Sequence, residues 1–74
     1  MKYVREEKFL KILGKRIRVF RMNQGITQAQ LAFEAEIPRM QVSRIERGEL
    51  NTGISTLIRI AKVLDVSTKD LIEF

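Results

Sequence analysis

"TQAQLAFEAEIPRMQVSRIERGE" occupies Thr27 to Glu49 and packs two helix-start signals, one proline and three arginines into a single short stretch. Thr27 stands three residues before Gln30. At that spacing a threonine hydroxyl accepts a free first-turn amide while the glutamine reaches back to the cap. A helix is expected to begin there, with Leu31, Ala32 and Ala35 as a small-residue inner face. It runs only to about Ala35, because Glu36, Ile37 and Pro38 interrupt it. Proline fixes its own φ, pushes Ile37 towards extended geometry and is well tolerated at the start of a new helix. The next helix is expected from Pro38 or Arg39 to Arg47, with Val42 and Ile45 inward and Gly48 at its C-terminal cap.

Outward from this segment the periodicity is helical throughout. Phe9, Leu13, Ile17, Phe20 and Gln24 recur at steps of three or four, with Ile12 beside the stripe and Lys8, Lys11, Lys15 and Arg18 away from it. One long basic amphipathic helix from about Arg5 to Asn23 follows, ending before Gly25. Beyond the polar loop "GELNTG", the stripe Ile54, Leu57, Ile58, Ala61 and Leu64 predicts a fourth helix that stops near Asp65. Ser67 with Asp70 three residues on forms another capping box, opening a short fifth helix that carries Leu71 and Ile72. There are no strand signals, no internal repeat and no linker. The expected fold class is all-α, a compact five-helix single domain over residues 1–74.

The chain contains neither cysteine nor histidine. Disulfides, thiolate chemistry, the commonest metal ligand and the commonest general base are thereby removed. No cofactor is expected, and with scattered carboxylates and no nucleophile–base pair the chain does not read as an enzyme. No apolar run reaches the roughly 18 residues of a membrane span, and the N-terminus lacks signal-peptide features. A cytoplasmic protein without membrane association is the expectation.

The net charge of +5 is unevenly placed. Met1 to Gln24 carry eight Lys/Arg against two Glu, and Pro38 to Arg47 three Arg against one Glu, whereas Gly48 to Phe74 are nearly balanced. A positive field confined to the first helix and the arginine-bearing segment points to an extended polyanion as partner; the competing reading is a merely solvated basic face.

Two short helices joined by a tight turn, the second bearing long polar side chains, form a helix-turn-helix over about residues 27–47. In that arrangement the second helix, here about residues 38–47, lies in the major groove while the first crosses the backbone. "TQAQLA", "EIPRMQVSRIERGELN" and "ISTLIRIAKVLDVSTKDLI" in this order, preceded by "LGKRIRVFRMNQGIT", resemble the lambda-repressor-like, or XRE-type, helix-turn-helix transcriptional regulators. The resemblance covers about Leu13 to Ile72.

The resemblance implies a DNA-binding transcription regulator of prokaryotic type, acting as a homodimer on a two-fold symmetric operator in double-stranded DNA. It implies that Gln28 bonds a phosphate and buttresses the recognition helix, and that Arg39, Met40 and Arg44 face the bases. Gln41 and Ser43 are placed at base or phosphate, and Arg47 and Asn51 at the backbone. Periodicity independently puts Met40, Gln41 and Arg44 on the face opposite Val42 and Ile45. An arginine there can offer a bidentate fork to guanine, worth about 1–3 kcal/mol of discrimination. The plainer alternatives are solvated arginines at positions 39 and 44, edge packing for Met40 and an ordinary first-turn residue for Gln28. Glu46, an acid on a basic surface, is implied to pair with Arg21 as a partly buried brace between the first and third helices. A well-buried pair costs about 3–5 kcal/mol to break, an exposed one about 0–1 kcal/mol.

Three residues depart from the family pattern. Glu36 and Asp65 stand at helix ends that favour glycine, where left-handed geometry costs a side chain on the order of 1 kcal/mol, and Pro38 replaces a polar cap. For dimer contacts, Leu71, Ile72 and Phe74 at the C-terminal end are favoured over the N-terminal "MKYVREEKFLKIL". The runner-up function is a DNA-binding antitoxin, which would add a protein partner.

Overall fold

The computed structural model describes residues 5–73 as five helices: α1 Arg5–Asn23, α2 Gln28–Ala35, α3 Arg39–Glu46, α4 Ile54–Leu64 and α5 Thr68–Ile72. The described residues contain no strand. Expected and observed helix limits differ by at most one residue, α3 ending at Glu46 with Arg47 as its cap.

One C-terminal device ends the first four helices. The residue after each helix or its cap takes a left-handed conformation, and its amide and the next one turn back onto the last turn. Gly25 (φ 72) and Gly48 (φ 74) do this without strain, whereas Glu36 and Asp65 (both φ 60) are the two side-chain-bearing residues expected to carry the cost. Glu36 donates to the Phe33 carbonyl at 3.2 Å and Ile37 to the Ala32 carbonyl at 3.0 Å, so the strain is offset by satisfied backbone groups.

At the starts, Thr27 Oγ1 accepts from the Gln30 amide at 3.0 Å, as the capping spacing requires, but the Gln30 side chain donates forward to Glu34 Oε2 at 3.2 Å. That box is therefore half formed: a carboxylate one turn ahead offers the Gln30 amide a charge-assisted acceptor. The Ser67–Asp70 box is complete in both directions.

The core consists of Leu13 and Ile17 of α1, Leu31, Ala32 and Ala35 of α2, Val42 and Ile45 of α3, Leu57, Ile60, Ala61 and Leu64 of α4, and Leu71 of α5. α2 packs on α3 and α4, and α1 lies across α3 and α5. Two expectations need correction. In α4, Ile60 is fully buried, whereas Ile54 and Ile58 are 62% and 41% exposed. At about 100° per residue, positions 57, 60, 61 and 64 share an arc about 100° wide, with Ile58 about 60° beyond its edge and Ile54 in the first turn. In α5, Leu71 is wholly buried in the monomer core, so it is not a dimer-surface residue. Ile72 is half-buried against the same core, and Phe74 lies outside the described residues.

α1 reaches α3 through a glycine. A Cβ built on Gly14 would sit 2.7 Å from the Glu46 carbonyl oxygen and closer still to that of Ile45, and one on Gly48 would meet the Lys11 Cα at 2.7 Å. Both obstacles are backbone, which cannot swing aside. Gly14→Ala should therefore destabilise the fold: overpacking costs about 1–3 kcal/mol, against a helix-propensity gain of about 1 kcal/mol. A lower urea midpoint with an unchanged m-value is the expected result, and a more stable variant would contradict the close crossing.

Candidate nucleic-acid interface

A single carboxylate joins the elements that present α3. Arg21, in the last turn of α1, donates from Nε to Glu46 Oε2 at 2.6 Å and from Nη2 to Oε1 at 3.1 Å. Its third nitrogen, Nη1, donates to the Ile26 carbonyl at 2.9 Å, fixing the turn that leads into α2. Gln28, the first residue of α2, donates its side-chain amide to Glu46 Oε1 at 3.0 Å. Glu46 thus accepts three hydrogen bonds from two helices, and with side-chain exposures of 12% for Arg21 and 3% for Glu46 the pair is well buried. The geometry is the bidentate fork that guanidinium and carboxylate favour. Gln28 has its amide turned into this brace, which makes it a support for α3; its remaining oxygen and its half-exposed position leave it open to the surface.

Val42 and Ile45 pin α3 to the core, so the opposite side of the helix faces solvent. Arg39 and Arg44 are exposed, Met40 is 68% exposed and Gln41 is half-buried. Met40, Gln41 and Arg44 line one open cleft together with Asn51 from the loop that follows α3. Arg39 stands in the first turn of α3 outside that cleft. Because Pro38 has no side-chain acceptor, the first amides of α3 are left without a side-chain cap beside it.

Ser43, Arg47 and Gln28 lie around a second depression on the other side of α3. The structure thus divides the expected contact residues into two groups flanking the helix. Arg47 is already engaged: it donates from Nη1 to Ser43 Oγ and from Nε and Nη2 to Glu49, at 3.0 and 3.2 Å. The hydrogen bond from Arg47 holds the Glu49 carboxyl below the usual carboxylate range, helped by the nearby charges of Arg47, Arg44 and Lys11. Arg47 is correspondingly raised above its ordinary value, first by the same hydrogen bond. Both partners are about half exposed, so this surface pair is of little net worth and can be exchanged for another anion. Asn51 donates to Glu6 Oε1 at 3.4 Å, a long contact that links the loop to the start of α1.

Several contacts that shape this surface are not evident in the sequence. Glu49 occupies the guanidinium fork of Arg47, and Arg59 donates to the Ala35 carbonyl at 3.0 Å, closing the end of α2. Gly14 carried a signal in principle, since a glycine inside the apolar stripe of a helix marks a close backbone approach.

The HTH_3 helix-turn-helix family matches the chain over residues 17–71. Control protein C.BamHI of Bacillus amyloliquefaciens is 36% identical over 64 residues, covering 85% of this chain and 79% of that protein. The transcriptional regulator SinR of Bacillus subtilis is 33% identical over 63 residues, which span 84% of this chain but only 57% of SinR. The crystal structure of the restriction-modification controller protein C.AhdI from Aeromonas hydrophila superposes with a TM-score of 0.82 at 32% identity, covering 84% of this chain and 94% of that one. These likenesses run through the braced helix pair and the loop beyond it, and the proteins concerned are regulators rather than enzymes. The chain belongs to the lambda-repressor-like, XRE-type helix-turn-helix family of DNA-binding transcriptional regulators.

Proposed function

We propose that this regulator binds double-stranded DNA sequence-specifically as a homodimer on a two-fold symmetric operator, with α3 in the major groove. The observation that carries the reading is the exposure of Arg39, Met40 and Arg44 on a helix whose other face is buried and whose end is braced. Arginine forks suit guanine O6 and N7, and a methionine suits a thymine methyl. Gln41 and Ser43 serve base or phosphate, and Gln28, Arg47 and Asn51 meet the backbone. Arg47 exchanges Glu49 for a phosphate oxygen on binding.

The homodimer follows from scale. One domain of this size buries a modest DNA surface, and paired half-sites about one helical turn apart multiply its affinity. With Leu71 committed to the core, the C-terminal contact rests on Ile72 and Phe74. The likeness to C.AhdI, which extends over 94% of that chain, favours control of a restriction-modification system over an antitoxin role. A regulator of this kind works in the cytoplasm, and among the described residues no helix is long and apolar enough to cross a membrane.

A duplex recovered by selection from randomised DNA tests the proposal. Log affinity should fall with log salt at about 0.9 per phosphate neutralised, giving a slope of several units. Sedimentation should show two protomers per duplex. A flat salt response, or one protomer on every selected site, would contradict the reading.

A further inference from the structure

α1 carries four cations that neither the core nor the brace uses. Lys8, Lys11, Lys15 and Arg18 follow at steps of three, four and three, which puts them in one row along the helix. All four are exposed, and with Arg47 they line a single open groove between α1 and the end of α3. Arg18 and Arg47 also line the adjoining depression that holds Gln28 and Ser43. The basic row is therefore continuous with the backbone-contact side of the recognition helix.

Acidic groups offset it only in part, Glu49 being close enough to feel the charge of Lys11. Glu46 borders the groove but is 3% exposed with its oxygens taken by Arg21 and Gln28, and Glu49 is held by Arg47. Among the described residues Lys8, Lys11, Lys15 and Arg18 make no ion pair. Like charges three and four apart also disfavour a helix, so the row works against local stability. Attraction to the C-terminal dipole of α3 accounts for Lys11, whose backbone abuts Gly48. It does not account for four cations, because ten residues of helix span about 15 Å and the dipole acts within about one turn.

A row of about 15 Å is long enough to meet several successive phosphates of one strand of duplex DNA, each carrying a negative charge. We infer that Lys8, Lys11, Lys15 and Arg18 form a second DNA-backbone contact, continuing from Arg47 along the phosphates of one strand beside the half-site. The inference rests on the DNA-binding reading and adds a partner surface outside the helix-turn-helix. Being backbone contacts, these residues add affinity and salt dependence and leave sequence preference unchanged.

The test is the triple variant Lys8→Gln, Lys15→Gln, Arg18→Gln, which spares Lys11 because of its packing. Its thermal melt should equal or slightly exceed that of the wild type, since all three side chains are exposed and like-charge repulsion along α1 is relieved. On a selected duplex the salt slope should shrink by about 2–3 units, at about 0.9 per lost contact, with affinity falling at least tenfold at low salt. The preference for the selected over a scrambled duplex should persist, and trimming the flanking base pairs should weaken the wild type but not the variant. An unchanged slope beside a steep wild-type slope overturns this inference alone, as does a loss that appears only on vesicles of anionic lipid. Absence of salt-sensitive binding by the wild type overturns the DNA reading itself.

Discussion

Glu46→Ala should lower stability by about 3–5 kcal/mol, because it strands a guanidinium that is 12% exposed and removes the acceptor of the Gln28 amide. For a domain of this size each kcal/mol moves the melting temperature by about 4–8 °C, so a fall of more than about 12 °C is expected. Binding should weaken on every duplex alike, since the brace sets the angle of α3 and touches no base. Glu46→Gln, which keeps the shape and one acceptor, should fall between the two proteins. In a double-mutant cycle with Arg21→Ala, the pair removed together should cost less than the sum of the single losses, because neither partner is left charged and buried. A melting temperature within a few degrees of the wild type would show that the pair behaves as a surface contact.

The division between what could and could not be read from the sequence has a physical basis. Helix limits were legible because their signals are local: Thr27 and Ser67 as caps, Pro38 as a break, Gly25 and Gly48 as ends. The left-handed turns at Glu36 and Asp65 were legible through the family pattern, which places glycine there. The brace was legible for the same reason, as an acid in an otherwise basic segment with Arg21 at the matching place. Features that depend on which helix lies against which were not. Periodicity marks an apolar arc but not its centre, so it places Ile54 and Ile58 inward and does not single out Ile60. Leu71 looked like a surface residue because it stands near the chain end, yet α1 and α4 close over α5 and bury it. Gln30 had two possible partners one turn apart, and the sequence alone did not choose between them. The Gly14 crossing needs two backbones in contact, which no single-helix pattern contains.

The same reasoning applies to the interface. Exposure of Arg39, Met40 and Arg44 followed from the burial of Val42 and Ile45, a local inference. The grouping of Arg47 with Ser43 and Glu49, and the groove shared with α1, are tertiary outcomes. They determine how the surface is charged and which contacts exchange on binding.

The measurement that bears most directly on sequence reading by α3 is the base preference of Arg44→Ala. Arg44 is exposed, its side chain makes no hydrogen bond among the described residues, and alanine favours the helix, so the fold should be unaffected. If its guanidinium reads a base edge, the variant should lose about 1–3 kcal/mol on the selected duplex and relax preference at one position in each half-site. Other positions should keep their preference, and the melting temperature should not move. A uniform loss on all sequences with a flatter salt slope would contradict base reading by Arg44 and make it a phosphate contact, leaving recognition to Arg39, Met40 and Gln41.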